Sequence, residues 1–157
     1  MKREPSKSAL IAAALRQMAV EGWMEAALAK AEAAEGWAPG TYRAYFPAGL
    51  ADFNREFHLW VDEGMRGLLA KQPDFEAAKI REKIFRCVMA RLQVLLPHRT
   101  AVQRFISHQL MPWNAARGIA GLGRAANVMW KAAGDRSIDY NYYTKRVLLS
   151  GVYAATL

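Results

Sequence analysis

The chain has 157 residues, of which 53% are hydrophobic and 23% charged, values typical of one ordinary domain that exclude a disordered tail. Its 22 basic and 14 acidic residues give a net charge of +8, which favours an anionic partner such as nucleic acid or a membrane surface. A single cysteine excludes an internal disulfide and a cysteine-based zinc site, and no apolar run is long enough to span a membrane.

Helix-forming residues dominate the chain, and no alternating apolar pattern typical of strands occurs. Proline and glycine mark most of the breaks between the predicted helices. We expect helices at 8–20, 24–34, 39–45, 48–71, 74–95, 99–109, 113–132 and 138–156. The predicted fold class is therefore all-α, and the absence of a long linker predicts a single domain over residues 1–157.

The amino terminus has three basic residues ahead of a seven-residue apolar stretch, Ala9–Leu15. Arg16 and Gln17 interrupt this stretch, and no signal-peptide cleavage site follows closely. We therefore expect an uncleaved, cytoplasmic start and a first helix that is capped by Ser6 or Ser8.

The predicted helices within about residues 8–46 are short, and a tight turn precedes the third of them. The segment Gly-Thr-Tyr-Arg-Ala-Tyr-Phe-Pro at 40–47 then leads into a long helix. This arrangement resembles the helix-turn-helix end of the tetracycline-repressor (TetR) family, whose members include ligand-responsive transcription regulators. Yet residues 1–46 have a net charge of only +1, and the third helix offers only Arg43 to a base or phosphate. We expect no specific DNA binding and keep a ligand-responsive regulator as the alternative function.

The motif at residues 129–146 is the most specific one in the chain. It reads Met-Trp-Lys-Ala-Ala-Gly-Asp-Arg-Ser-Ile-Asp-Tyr-Asn-Tyr-Tyr-Thr-Lys-Arg. This motif resembles the signature of the lipid-binding accessory protein of ubiquinone (coenzyme Q) biosynthesis, a family with a TetR-like fold that does not serve as a repressor. Leu-Leu-Pro at 95–97 and Leu-Met-Pro at 110–112 also resemble the family, so the likeness covers roughly residues 8–157.

The resemblance implies a non-enzymatic protein that holds an isoprenoid or phospholipid ligand and assists the di-iron demethoxyubiquinone hydroxylase. It implies a peripheral location at the inner membrane, on the cytoplasmic side in a bacterium or the matrix side in a mitochondrion. Family members usually continue into further helices, including an amphipathic helix associated with membranes. We therefore expect that the chain is truncated at its carboxyl end, and we leave a homodimer and an anionic membrane surface open as further partners.

The predicted helix at 113–132 contains many alanines and glycines, and each glycine destabilises a helix by about 1 kcal/mol relative to alanine. These small residues permit either close packing of helices or space for an acyl or prenyl chain. A lipid cavity within about 48–157 is predicted to be lined by Phe85, Val88, Met89, Leu92, Phe105, Met111, Trp113 and Trp130. The alternative for these residues is a plain hydrophobic core.

Residues 98–157 have a net charge of +6, and three of their basic residues recur every seven positions. Arg117, Arg124 and Lys131 therefore share one face of the predicted helix. A solvated surface and a site for an anionic headgroup are both consistent with this spacing.

The last predicted helix has Tyr142, Arg146, Leu149 and Tyr153 on one face, and its sequence after Val147 is apolar nearly all round. We therefore expect that its end is buried. Tyrosine and arginine dominate protein-binding hot spots, so this helix is also a candidate surface for a partner. The predicted partner-binding residues are Met129, Asp139, Tyr142, Tyr143 and Arg146. Asp139 has the alternative role of stabilising the amino end of the helix.

The sequence contains no recognisable catalytic or metal-binding pattern. His58, His98 and His108 are isolated, without the spacing of a zinc or di-iron site. Cys87 lies in an apolar segment and is expected to be a small buried residue. We therefore predict that the protein is not an enzyme and has no cofactor or metal.

Overall fold

The computed structural model describes residues 5–136 and 140–157, and most of these residues form α-helices. Their bounds are α1 Lys7–Glu21, α2 Glu25–Glu35, α3 Thr41–Tyr45, α4 Leu50–Leu69, α5 Ile80–Leu95, α6 Arg99–Gln109, α7 Ala115–Ala132 and α8 Tyr140–Thr156, with a 3₁₀ turn at Leu96–His98. No strand occurs within the described ranges, so the predicted all-α class is confirmed. Three short helices precede the long α4, the order expected of a TetR-like bundle.

Small polar residues and glycines define the first helix boundaries. The Ser6 hydroxyl accepts a hydrogen bond from the Ala9 N–H at 3.2 Å and caps α1, as predicted. Gly22 and Gly36 follow α1 and α2 with φ angles of 99° and 63°, values that favour glycine. These caps confirm the breaks that the sequence predicted.

The prediction that α5 begins near residue 74 is wrong, because α5 begins at Ile80 and residues 73–77 form turns. Arg86 donates two hydrogen bonds of 2.9 Å to the carboxylate of Asp74. In a continuous helix these residues would be separated by about 18 Å along the axis, so the ion pair requires the turns. Phe75, inside the turns, is buried in the core.

The described chain divides into two compact units. The amino-terminal unit contains the residues through Trp60 together with His98–His108. The carboxyl-terminal unit contains Val61–Pro97 and Gln109–Leu157. A single domain with a helix-turn-helix part at 8–46 and a binding part at 48–157 stays a prediction.

The amino-terminal unit has an aromatic core centred on Trp23. The Trp23 ring lies 5.7 Å from Phe53, 5.2 Å from Phe57 and 4.7 Å from Phe105 between ring centroids. The indole N–H donates a hydrogen bond of 2.8 Å to the Asn54 side chain. The core therefore also satisfies the polar atom of its largest residue.

The buried carboxylate of Glu32 binds the backbone at the start of α3 in the same unit. The Glu32 side chain on α2 accepts hydrogen bonds from the backbone N–H groups of Gly40, at 2.9 Å, and Tyr42. The Tyr42 hydroxyl donates a hydrogen bond to the carbonyl oxygen of Leu10 on α1. Through these contacts α1 and α2 hold the short third helix in place.

The carboxyl-terminal unit packs α4, α5, α7 and α8 around a core that contains Met65, Leu69, Phe75, Cys87, Val88, Ala90, Ala125, Ala126, Met129, Leu149 and Tyr153. The small side chains of Ala125 and Ala126 permit close helix packing on α7. A second close approach joins α4 to α5, since a Cβ atom at Gly64 would lie 2.8 Å from Cγ2 of Val94. A larger residue at position 64 therefore requires a shift of Val94.

The helix α8 is more exposed than the sequence predicted. Its predicted inner face is confirmed at Leu149 and Tyr153, which are buried. The expectation that the helix is buried all round after Val147 is wrong, since Val147 is 71% exposed, Leu148 65% and Val152 57%. The described residues leave these three side chains largely uncovered.

Candidate functional site

The predicted partner-binding residues lie in the carboxyl-terminal unit, where α7 and α8 pack together. Tyr143 is 69% exposed, and Tyr142 beside it is half-buried. Their rings meet edge to face, with centroids 5.1 Å apart. Neighbouring positions on a helix point in different directions, which accounts for this difference in exposure.

Arg146 lies beneath Tyr142 and is buried. The centre of its guanidinium lies 3.4 Å from the centroid of the Tyr142 ring. The guanidinium donates hydrogen bonds to the Asn127 side chain at 2.9 Å, to Asp135 at 3.3 Å and to the Tyr142 carbonyl at 3.0 Å. Because Nε and Nη1 are engaged within the unit, Arg146 helps to hold Tyr142 in place, and its direct contact with a partner stays a prediction.

Further contacts join α7 to α8, and the sequence pattern did not predict them. Lys145 forms an ion pair of 3.0 Å with Asp135, and its ammonium lies 5.3 Å from the Trp130 ring centroid. The Trp130 indole N–H donates to the Lys145 carbonyl at 3.1 Å. We call Asn127, Trp130, Asp135, Lys145 and Arg146 the α7–α8 brace. In the sequence, the Gly-Asp pair of the 129–146 motif was the signal that could have identified Asp135 as a site residue.

Two other predicted partner residues have different outcomes. Met129 is completely buried in the core, and its predicted role in partner binding stays a prediction. Its backbone carbonyl accepts a weak hydrogen bond from the Cys87 thiol at 3.8 Å. Met129 lies on the face of α7 that packs on α5. Helical periodicity alone could not show this, because it does not tell which neighbouring helix covers each face. Asp139 lies outside the described residues.

The eight predicted lipid-binding residues are not gathered in one unit. Phe105 lies in the amino-terminal unit, against Trp23 and Phe57. The others belong to the carboxyl-terminal unit, with different exposures: Val88 is buried, Leu92 and Trp130 are half-buried, and Phe85, Met89, Met111 and Trp113 are exposed. The exposed members lie on the surface of the unit as described, and a lipid cavity lined by the set stays a prediction.

The basic stripe on α7 is only partly a solvated surface. Arg117 and Lys131 are exposed, as the sequence suggests. Arg124 forms an ion pair of 3.0 Å with Asp62, a carboxylate that is itself buried. Sequence spacing places Arg124 on its face but gives no sign of a partner 62 residues away.

The helix-turn-helix-like part offers little to DNA in the structure. Arg43, the candidate contact on α3, forms an ion pair of 3.3 Å with Glu25. The first N–H groups of α3 are engaged by Glu32. A pocket of about 210 Å³ beside these helices is lined by residues that include Glu25, Glu32 and Arg43. The mixture of acidic and basic residues does not favour phosphate binding.

Titratable groups outside the brace give no indication of a metal centre. Within residues 5–136 and 140–157, no group of three or more His, Cys, Asp or Glu side chains is placed to hold an ion. Burial raises the pKa of the Cys87 thiol to about 11, so the thiol is protonated at neutral pH. Burial also lowers the pKa of His98, with a smaller contribution from Arg16.

None of the helices in the described part of the chain combines the length and mean hydropathy needed to cross a bilayer.

Comparison with known proteins points to the segment that contains the brace. A model of the COQ9 family matches residues 115–157, which include α7 and α8. The chain is 26% identical to "Ubiquinone biosynthesis protein COQ9, mitochondrial" of Rattus norvegicus, over 94% of this chain and 49% of that protein. It is 25% identical to the Homo sapiens protein of the same name, over 94% of this chain and 48% of that protein.

A shorter match to the Bos taurus COQ9 protein is 36% identical and covers 44% of this chain and 22% of that protein. The chain thus spans about half the length of the curated Rattus norvegicus and Homo sapiens relatives. The resemblance that the 129–146 motif predicted is confirmed by these matches.

Proposed function

We propose that this chain acts in ubiquinone biosynthesis as a non-enzymatic accessory protein that binds an isoprenoid or quinone-type lipid and assists the di-iron demethoxyubiquinone hydroxylase. One observation carries the proposal: the segment matched by the COQ9 family model, 115–157, is also the segment whose brace presents an exposed tyrosine. The hydroxylase itself is proposed from the family resemblance of the 129–146 motif.

The partner surface is proposed to centre on Tyr143, with Tyr142 beside it. An exposed tyrosine offers a large contact area and loses little side-chain entropy on binding, because it has few rotatable bonds. Tyr142 is held by the guanidinium of Arg146, and its hydroxyl donates to Asn127 at 3.3 Å. This support makes the surface rigid before the partner arrives, which favours affinity.

The lipid is proposed to contact the exposed apolar residues of the carboxyl-terminal unit, among them Phe85 and Met89, one turn apart on α5. Ile119 on α7 is also exposed, and open space surrounds the Cβ position of Gly123. Isolated exposed apolar residues need no explanation, but a contiguous group commonly marks a binding surface. An isoprenoid or a phospholipid tail is the ligand that the family resemblance favours.

The location and further partners follow the same proposal. The relatives' names place them in mitochondria, and we propose the matrix side of the inner membrane, or the cytoplasmic side in a bacterium. The net charge of +6 on residues 98–157 favours an anionic membrane surface there. A homodimer and contact with other ubiquinone-biosynthesis proteins are further proposals. Specific DNA binding is not part of the proposal, since Arg43 is paired with Glu25.

Mass spectrometry of an organic extract of the purified protein tests the lipid part. We expect a polyprenyl quinone or a related isoprenoid to be enriched at least about tenfold over an unrelated protein purified in parallel. Phe85→Ser combined with Met89→Ser should reduce this enrichment, because both substitutions remove exposed apolar surface.

Val20→Ser provides the matched control, since Val20 is an exposed apolar residue of the amino-terminal unit. It should leave the bound lipid unchanged. If no isoprenoid is enriched, or if both variants lose lipid equally, the proposed lipid surface is wrong.

Capture of the demethoxyubiquinone hydroxylase tests the partner part. Tyr143→Ala should weaken capture by about 2 kcal/mol, the scale of a hot-spot aromatic, and should leave the melting temperature nearly unchanged because the side chain is exposed. Tyr142→Ala should weaken capture by a similar amount. Affinity and melting temperature are measured on the same preparations.

Tyr45→Ala, which alters a half-buried tyrosine of the amino-terminal unit, serves as the control for capture. Its folded fraction should bind the hydroxylase normally. Normal binding by Tyr143→Ala as well would contradict the proposed partner surface.

A further inference from the structure

The pocket of about 210 Å³ in the amino-terminal unit combines apolar and acidic lining residues. Ala29 and Phe46 are among the apolar ones, and Glu25 and Glu32 on α2 contribute two carboxylates. Arg43 on α3 is the one basic residue that lines this pocket. Two carboxylates against one guanidinium give the lining a net charge of −1, which favours a cation over an anion.

Glu32 is a buried carboxylate of this pocket that lacks a cationic partner. The residue is 8% exposed, and its two oxygens accept hydrogen bonds from the backbone N–H groups of Gly40 and Tyr42, which also line the pocket. These donors are neutral. Within the described residues no lysine or arginine forms an ion pair with Glu32, whereas Glu25 and Glu35 on the same helix each have one. A carboxylate accepts about four hydrogen bonds, so each oxygen has room for a further donor. Since buried charges are normally paired, a cation in the pocket would supply the missing partner.

Glu25 is the second carboxylate that a cation in this pocket can reach. A Cβ atom at Gly49, another lining residue, would lie 2.7 Å from both carboxylate oxygens, so the Glu25 side chain extends over the turn before α4. Its ion pair with Arg43 has a length of 3.3 Å, and the side chains of Arg43 and Glu25 are 74% and 57% exposed. Solvent weakens an ion pair that is this exposed, so a bound cation can compete with Arg43 for Glu25.

The size of the pocket favours an organic cation over a metal ion. Its volume is several times the ~30 Å³ that one water molecule occupies in the liquid, which is enough for an organic group of about six non-hydrogen atoms. A metal ion would leave the apolar part of the lining without a contact. Among residues 5–136 and 140–157, no group of three or more His, Cys, Asp or Glu side chains is placed to hold such an ion.

We propose that this pocket binds one short alkylammonium group, whose ammonium pairs with Glu32 and Glu25 and whose carbon chain contacts the apolar lining. The group comes either from a free small amine or from a lysine side chain of another polypeptide, because both carry an ammonium on a short methylene chain. The site lies in the amino-terminal unit and does not rest on the function proposed for the other unit.

Titration of the whole isotope-labelled chain with n-pentylammonium chloride, at fixed ionic strength, tests the site by nuclear magnetic resonance. We expect saturable shifts of the Gly40 and Tyr42 amide signals, because these N–H groups bind the carboxylate that the cation approaches. n-Pentanol has the same carbon chain without the charge. It should bind at least about tenfold more weakly, since a hydrogen bond to a charged group is stronger than one between neutral groups.

Two variants separate the effect of the charge from that of the cavity. Glu32→Gln should weaken pentylammonium binding at least about tenfold. Ala29→Leu fills part of the pocket, leaves both carboxylates in place and keeps the proposal falsifiable if Glu32→Gln does not fold; it should weaken binding at least about fivefold. Ala26→Leu alters an exposed alanine of α2 outside the lining, and as the matched control it should change the affinity less than about twofold. Circular dichroism and thermal melting report folding for every variant.

Arg43→Gln tests the sign of the electrostatic effect. It removes the basic lining residue and frees Glu25, so pentylammonium should bind at least about twofold more tightly than to the wild type. Weaker binding to this variant would contradict a site for a cation.

A second titration with Nα-acetyl-lysine N-methylamide identifies the source of the ammonium. If this compound binds more tightly than pentylammonium, the ligand is a lysine side chain of a polypeptide; if pentylammonium binds at least as tightly, the site takes a free amine. The proposal is overturned if neither compound shifts the Gly40 and Tyr42 signals saturably, or if n-pentanol binds as tightly as pentylammonium. Equal weakening by Ala26→Leu and Ala29→Leu would also overturn it.

Discussion

The two units of the chain differ in the partners of their buried carboxylates and in the amount of apolar surface that they expose. In the amino-terminal unit the buried carboxylate of Glu32 is satisfied by two backbone N–H groups that begin α3. In the carboxyl-terminal unit the buried carboxylate of Asp62 is shared by two guanidinium groups. The first arrangement completes the local fold, whereas the second joins three helices through one carboxylate on α4 that pairs with Arg91 on α5 and Arg124 on α7, with Arg124 partly exposed.

The carboxyl-terminal unit also exposes more large hydrophobic side chains than the amino-terminal unit. The large exposed hydrophobic residues of the amino-terminal unit are Val20, Met24 and Leu59, whereas those of the carboxyl-terminal unit are Ile80, Phe85, Met89, Leu96, Leu110, Met111, Trp113, Ile119, Tyr143, Val147, Leu148 and Val152. Exposed apolar surface is concentrated where molecules bind. The comparison therefore supports the proposal that the lipid-binding and partner-binding surfaces lie on the second unit.

The largest effect is expected from Asp62→Ala. This substitution leaves Arg91 and Arg124 facing each other without a carboxylate, and should lower the free energy of unfolding by about 3–5 kcal/mol. Urea unfolding measures the loss. Glu63→Ala, at the exposed neighbouring position, should have little effect. A loss below about 1 kcal/mol for Asp62→Ala would show that the two units do not differ as described.

A smaller effect is expected in the amino-terminal unit from Glu32→Ala. The N–H groups of Gly40 and Tyr42 lose their acceptor, which should cost about 2 kcal/mol of unfolding free energy. Glu35→Ala is the matched control on α2, because Glu35 pairs with the exposed Arg16. Equal losses in the two variants would argue against a special role of Glu32 in holding α3.

The smallest effect is expected at alkaline pH. Since the pKa of Cys87 rises from 9.0 to about 11 on folding, its contribution to stability is complete below pH 9 and is lost between pH 9 and 11. At pH 10 the loss should be about 1.4 kcal/mol. Burial raises the pKa of Tyr42 in the other unit in the same direction.

Urea unfolding between pH 8 and 10.5 separates these two contributions. Cys87→Ala should reduce the pH dependence of stability that arises in the carboxyl-terminal unit, and Tyr42→Phe should reduce that of the amino-terminal unit. A pH dependence identical to that of the wild type in Cys87→Ala would contradict the raised pKa of the thiol.

Helix boundaries were predictable where the signals are local. The predicted ends agree with the structure within two residues at every helix except the start of α5. Proline, glycine and capping residues act on their immediate neighbours, so the sequence carries that information directly. Before α5, turns bring Asp74 beside Arg86, a contact between residues twelve positions apart that no local signal predicts.

The candidate site was less predictable for the same reason. The motif at 129–146 identified the right segment, but exposure within it depends on which helix packs on each face. Met129 and Tyr143 have similar apolar character in the sequence, and the structure buries the first and exposes the second. Asp62, far from Arg124 in sequence, gave no local signal at all.

The close approach of Gly64 to Val94 limits how the sequence can diverge. A side chain at position 64 needs the volume that Val94 now fills, so α4 and α5 keep their spacing only when the two positions change together. An alanine at position 64 is therefore expected to cost less stability when a smaller residue stands at position 94.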